Sequence, residues 1–460
     1  MTEQSPDYKL LFLEEQRRRQ EAERAQEEEQ RRREEEQRRR EEAERAQEKA
    51  EKKTRKTTLP EFLNGCHVHL YSGLTVQTDA TLSTRGDPTN ANNKIRPESI
   101  QTWEDFPVQQ EAIWNELMGS DFILERHFTS LHTLEESGEA VRQRMMSSEL
   151  DLNYFQRYTV EDHISSIIKQ LYNNPTLRRK FRLKGSVKFE NHANTLSPEW
   201  QLEEDMQYMS MSGNKRRRSP RLQALTKRTN PPDSTDLAEL AAAATAGAAK
   251  STRPRADQFC VYNTSSESQN TEHRTAAFII EYKAPHKLTL GYIYEGLNDM
   301  ELEVARCRET DSPQDHFRRL VAAIITQAFS YMIQAGLEYG CICTSEVFIF
   351  LRVPNDPKTV YYFLSVPKGD VGETTGWAQD SDGGNRLHMT AVRQMLAFTL
   401  RALKTPPRGQ KWQTRAIARL KSWEVVYDDL MDTIPVHDVP SSEYQPPRQN
   451  DFLRMSPVQL

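Results

Sequence analysis

The segment Ala277-Phe-Ile-Ile-Glu281-Tyr-Lys283-Ala-Pro285 constrains this chain most. It reads as a buried strand, and it ends in Glu-x-Lys. Side chains alternate faces along a strand, so residues two apart point the same way. Glu281 and Lys283 therefore project together from the polar end of an otherwise buried strand. A carboxylate that can hold a divalent cation, beside an ammonium that can steady a water, is the kernel of a metal-dependent phosphodiesterase site. Taken alone, such a pair is more often a solvated strand end, so its companions decide its meaning.

Asp257 lies upstream, in Ala256-Asp257-Gln-Phe-Cys-Val-Tyr262, at the mouth of a second short apolar strand. If strands 259–262 and 276–282 form a hairpin, the start of one sits beside the finish of the other. Asp257 and Glu281 then share one sheet end. Two carboxylates and a lysine there suit Mg²⁺, with Mn²⁺ as an alternative. Such an ion takes one or two carboxylates and keeps several waters. Downstream, Asp315–Ile333 reads as a long helix on which Gln327 and Tyr331, four apart, share a face. They either line the site, or Gln327 caps a buried backbone group and Tyr331 is ordinary core. A further helix is expected from Thr159 as N-cap, through Val160, Ile164, Ile167, Ile168 and Leu171. Glu161 falls in its first turn, either as a favourable helix-dipole charge or as an added metal ligand.

Other strands are expected at Val187–His192, Val347–Val353 and Val360–Val366, and Cys341-Ile-Cys343 reads as buried strand residues. A closing helix spans Leu387–Leu403, and another helical pattern covers Gln109–Met118. The order of helices and strands predicts an α/β sandwich around a mixed sheet. Residues 10–56 differ in kind. Gln16-Arg-Arg-Arg recurs at Gln30 and Gln37, and Glu21–Glu27 recurs at Glu42–Glu48. Glu precedes Arg by four at Glu15/Arg19, Glu28/Arg32, Glu35/Arg39 and elsewhere, and each pair stabilises a helix by about 0.2–0.5 kcal/mol. The heptad seam holds little beyond alanine, so a solvated helix is expected rather than a coiled coil.

The 460 residues comprise 36% hydrophobic and 28% charged residues, too polar for a wholly globular chain. The expected organisation is a charged helical arm at 1–56 and the N-terminal helical part of the domain at 57–202. A linker at 203–255, the core at 256–404 and a helix and tail at 405–460 complete it. Within the linker, Lys215-Arg-Arg-Arg218 fits a nuclear-import signal or a nucleic-acid contact. The net charge of −5 excludes no partner, and no apolar run reaches the about 20 residues that span a membrane. Five cysteines without framework spacing fit a reducing, intracellular compartment.

Taken together, these pieces resemble the PD-(D/E)XK nuclease superfamily. More narrowly, they resemble the nuclease-like proteins abundant in filamentous fungi, whose domain also resembles one in fungal-type protein kinases. The resemblance is carried by Ala256-Asp257-Gln-Phe-Cys, Ile280-Glu281-Tyr-Lys283-Ala-Pro-His286-Lys287, Gln327-Ala-Phe-Ser-Tyr331 and Glu338–Thr344. Weaker matches are Thr58–Leu70, Trp103–Pro107, Val160-Glu161 and Phe189-Glu-Asn-His192. It implies a restriction-endonuclease-like fold in which Asp257 and Glu281 are the motif acids and Lys283 the lysine. Gln327 and Tyr331 match a helix motif of some branches, and Glu161 would be the acid of the first core helix. Ala256 stands where the motif has proline. The implied activity is Mg²⁺-dependent cleavage of DNA or RNA. The competing expectation is a catalytically silent module of the same fold that binds nucleic acid or protein, with the charged arm reaching a protein partner.

Overall fold

The computed structural model of the protein describes residues 8–77, 94–191, 256–266, 271–306, 312–378, 384–423 and 440–446. The expected linker at 203–255 with its Lys215–Arg218 cluster, and most of the tail, lie outside the described residues.

The repeat folds as one helix, α1 (Tyr8–Thr54), exposed along its length. Ion pairs of the expected i,i+4 kind form at Glu15–Arg19, Glu28–Arg32 and Glu35–Arg39. Near its C-terminal end α1 meets the domain through Lys53, whose Nζ lies 2.8 Å from Glu135.

The domain is built on an eight-stranded mixed sheet. Its strands in chain order are β1 (Ser99–Thr102), β2 (Gly185–Glu190), β3 (Gln258–Ser266) and β4 (Thr271–Tyr282), followed by β5 (Met300–Glu301), β6 (Tyr339–Cys343), β7 (Phe348–Arg352) and β8 (Thr359–Ser365). Their spatial order is β2-β3-β4-β6-β7-β8-β1-β5. β3 and β4 pair antiparallel, so the expected hairpin forms, with Gln258 opposite Ile280. β6 lies parallel to β4, with Glu281 opposite Ile342. From Phe278 to Ile280 β4 is thus interior to the sheet, between β3 and β6, as its apolar end requires.

Helices cover both faces. On one lie α2 (Leu59–Gly65), α3 (Phe106–Met118), α4 (Leu131–Arg142), α5 (Glu149–Gln156), α6 (Asp162–Asn173) and α10 (Ala391–Ala402), packed on Phe278, Ile280 and Tyr282. On the other lie α8 (Leu290–Gly296) and α9 (Pro313–Ala335), packed on Ile279, Ile342 and Ile349. A short helix, α7 (Pro175–Lys180), leads from α6 towards β2. The result is an α/β sandwich with two hydrophobic layers, and alternate residues of β4 serve different layers. Helix α9 ends at Gly336, whose φ of 66° is the left-handed turn that glycine adopts most readily. That turn sends the chain straight into β6.

One expected boundary is corrected. Thr159 does not cap a helix, because the helical path begins at Glu149 with Ser148 as the cap and continues through a π-turn over Arg157–Glu161. The Thr159 hydroxyl donates to the Phe155 carbonyl at 2.8 Å, as an interior helix residue does. The inserted residue of a π-turn shifts the helical phase, so the apolar spacing restarts at Val160 and imitates a helix start.

Candidate active site at the end of the central strands

Alternation along β4 sends Tyr282 towards α6 and Glu281 towards α9. Asp257, just before β3, is held at the same sheet end by a hydrogen bond. The Tyr282 N–H donates to Asp257 Oδ2 at 2.8 Å. Lys283 Nζ donates to Glu281 Oε1 at 2.7 Å and to the Tyr282 carbonyl at 3.1 Å. From α9, Gln327 Nε2 donates to the same Glu281 oxygen at 2.6 Å and lies 3.4 Å from the Tyr331 hydroxyl. The structure therefore brings Asp257, Glu281, Lys283, Gln327 and Tyr331 into one cluster. Helical spacing put Gln327 and Tyr331 on one face, and α9 crosses the sheet where that face meets Glu281.

The second oxygen, Glu281 Oε2, is buried and receives no hydrogen bond. Among the described residues it is the one buried carboxylate oxygen left so. The neighbouring Gln327 Oε1 is likewise buried and without a donor. Burial, reinforced by the negative charge of Asp257, pushes the Glu281 carboxyl up to about 8, and Lys283 offsets this only in part. Burial also raises Asp257. For Lys283 burial works against the charge, yet Glu281, Asp257 and Glu149 outweigh it and hold the ammonium above its ordinary range. Both acids thus hold their protons more tightly than free carboxyls do, beside a fixed positive charge.

Glu161 is not part of this cluster. It lies on the opposite face of the sheet, where the Tyr282 hydroxyl donates to its Oε1 and Gln258 Nε2 donates to its Oε2 at 3.0 Å. Nor does it sit in a first helical turn, since it falls within the π-turn that joins α5 to α6. Burial lifts its carboxyl to about 7. Glu161 touches the site only indirectly, by gripping the ring of the residue whose backbone holds Asp257.

Two residues near the cluster were not singled out in the sequence. Glu149, in the first turn of α5, lies 3.3 Å from Lys287 Nζ, and its charge bears on Asp257, Glu281 and Lys283. The Ser148 cap of α5, which accepts from the Asp151 N–H at 3.1 Å, was the available signal for that helix start. Lys94 places its Nζ 3.4 Å from the Tyr331 hydroxyl and 4.6 Å from the ring centre. It belongs to a two-residue strand, paired with Ser422–Trp423, that has no periodic signature.

Fold and site together define an α/β sandwich domain with a buried pair of acids and a lysine at the end of neighbouring central strands. The chain belongs to the Spore killer 2 N-terminal domain family, whose profile matches residues 58–424. It is similar to the protein called Meiotic driver SPOK2 of Podospora anserina, with 26% identity over 416 residues. That match covers 85% of this chain and 49% of the relative, so the chain spans about half the relative's length. No solved structure matches the chain. Among the described residues no helix is long and apolar enough to cross a membrane.

Proposed function

We propose that this domain is a metal-dependent phosphodiesterase of the PD-(D/E)XK kind, acting on DNA or RNA through Asp257, Glu281 and Lys283. The observation that carries the reading is Glu281 Oε2, a buried carboxylate oxygen without a donor, beside a second acid and a charged lysine. A buried acceptor without a partner costs about 1–3 kcal/mol, more when charged, unless a ligand satisfies it.

The residues fit Mg²⁺. Asp257 and Glu281 would hold it, with the open Gln327 amide oxygen nearby. Two carboxylates are as many as this ion ordinarily takes from protein. Bound there, Mg²⁺ or Mn²⁺ supplies positive charge to a phosphoryl oxygen and makes a neighbouring water more acidic. Asp257 and Glu281 would hold the cation in their ionised forms, so cation binding would be favoured as pH rises, because proton and cation compete for the same oxygens. Lys283, kept charged by the acids, stabilises negative charge building on the phosphate in the transition state. Gln327 fixes the Glu281 rotamer from α9, and Tyr331 supports Gln327. Unregulated cleavage of cellular nucleic acid is lethal, which suits a domain of a spore killer family.

The test incubates the full chain with plasmid DNA, single-stranded DNA and RNA in Mg²⁺ or Mn²⁺. Wild type is expected to cut at least one, and Lys283→Ala and Asp257→Ala to lose about a hundredfold or more of that rate. A wild type that binds no divalent cation and cuts none of them would identify the domain as a catalytically silent binding module.

A further inference from the structure

Cleavage of a polyanion needs positive charge that is free to meet phosphate, and the site supplies little of it. Lys283 is committed to Glu281, and Lys287 to Glu149 at 3.3 Å. Free charge collects elsewhere. From Asn173 to Phe189 the sequence holds Arg178, Arg179, Lys180, Arg182, Lys184 and Lys188 and no acidic residue. All six are exposed.

Several of these residues line a groove of about 510 Å³ between the end of α6, α7 and the start of β2, with Tyr172 in its wall. The guanidinium of Arg178 lies 4.3 Å over the Tyr172 ring, which holds it at the groove. Lys180 Nζ reaches a backbone carbonyl, that of Glu116, at 3.1 Å. Arg179, Arg182 and Lys184 form no ion pair with any described residue. Arg182 adopts φ 55°, a left-handed conformation more usual for glycine or asparagine. Like charges packed this closely repel one another, and a polyanionic ligand relieves the repulsion while releasing the counterions that otherwise screen it.

We infer that this groove is a second contact for nucleic acid, gripping the phosphate backbone at a distance from the candidate site. Its ligand class rests on the phosphodiesterase reading, whereas its existence as an anion groove rests on the charges alone. The register sets the spacing. Gly185, next to Lys184, pairs with Thr264, seven residues along β3 from Asp257. At about 3.3 Å per residue that is roughly 23 Å. A strand rising about 3.4 Å per nucleotide needs at least about seven nucleotides for this, and more to round the sheet edge from the α6 face to the α9 face that Glu281 meets. A membrane surface is the poorer ligand, because interfacial binding inserts large apolar side chains. The exposed large hydrophobic residues among those described, such as Leu124, Leu150 and Val304, all lie outside the groove.

The test measures binding, not cleavage. Full-length protein in EDTA is titrated onto a fluorescent 20-base-pair DNA duplex and onto single-stranded DNA and RNA, by anisotropy, across a range of salt. Arg179→Glu with Arg182→Glu is expected to weaken binding at least tenfold. The salt dependence should become shallower by about two counterions. The same reversal at the exposed Arg415 and Arg419 controls for net charge and should change affinity less than threefold. Matching thermal melts establish that both variants fold. Equal losses in the two pairs, no loss in the groove pair, or a loss confined to phosphatidylserine vesicles would overturn the inference. Wild type that binds through the groove yet cuts nothing leaves this inference standing and removes the cleavage reading. Wild type that cuts while the groove pair binds normally does the reverse.

Discussion

Replacing Lys283 by methionine isolates the electrostatics of the buried cluster. The Lys283 and Glu281 side chains are only 4% and 1% exposed, and their charged atoms lie 2.7 Å apart. Removing one partner of such a pair typically costs about 3–5 kcal/mol, because the other is left buried and uncompensated. Here Glu281 has an escape, since it can keep its proton. The cost at neutral pH therefore falls near the lower end, about 3 kcal/mol.

The pH dependence is the sharper signature. In the unfolded chain Glu281 titrates near its ordinary 4.5, whereas in the folded protein it titrates at about 8. Between those values the folded state binds the extra proton, so stability falls as pH rises, by about 1.4 kcal/mol per pH unit at most. In wild type this fall ends near pH 8. In Lys283→Met the cation that lowers Glu281 is gone, its titration moves higher, and the fall continues. The gap between the two proteins, measured by urea unfolding from pH 6 to 9.5, should be roughly constant below pH 8 and widen above it. Adding Glu281→Leu to Lys283→Met should recover much of the loss and flatten the profile. Parallel profiles across the whole range, or a loss under about 1 kcal/mol, would refute the description of a tightly buried pair.

Two further outcomes follow from the geometry. Tyr282→Phe removes the hydroxyl that donates to Glu161, and should cost about 1–3 kcal/mol in urea unfolding. Any cleavage should survive, because Asp257 is held by the Tyr282 backbone N–H and not by the ring; loss of activity at unchanged stability would instead give Glu161 a part in the reaction. Deleting α1 removes a solvated helix tied to the domain by the half-exposed Lys53–Glu135 pair, worth about 0–1 kcal/mol. The melting temperature of the remaining domain should shift by no more than a few degrees in calorimetry, and a large drop would show that α1 packs as part of the core.

The sequence by itself determined what local chemistry controls. Seven-residue repetition of opposite charges specified α1, and apolar runs bounded by polar or proline-containing turns marked β3, β4, β7 and β8. Alternation along β4 put Glu281 and Lys283 on one side, and the spacing of four put Gln327 beside Tyr331. These are short-range properties, set by the periods of strand and helix. Only the tertiary structure decided which face each element turns towards. Glu161 was the weakest of the matches in the sequence, and the π-turn and the sheet between them put it behind the strand that carries Glu281. Lys94 and Glu149 reach the site from segments distant in sequence, with no periodic signal to announce them. The basic groove likewise joins the end of a helix, a six-residue helix and a strand start. Its charges were visible in the sequence, but their accumulation on one exposed wall, where Arg179, Arg182 and Lys184 have no acidic partner among the described residues, is a property of packing. Glu281 Oε2 follows the same rule: a carboxylate is legible in a sequence, whereas its burial without a donor exists only once sheet and helix close over it.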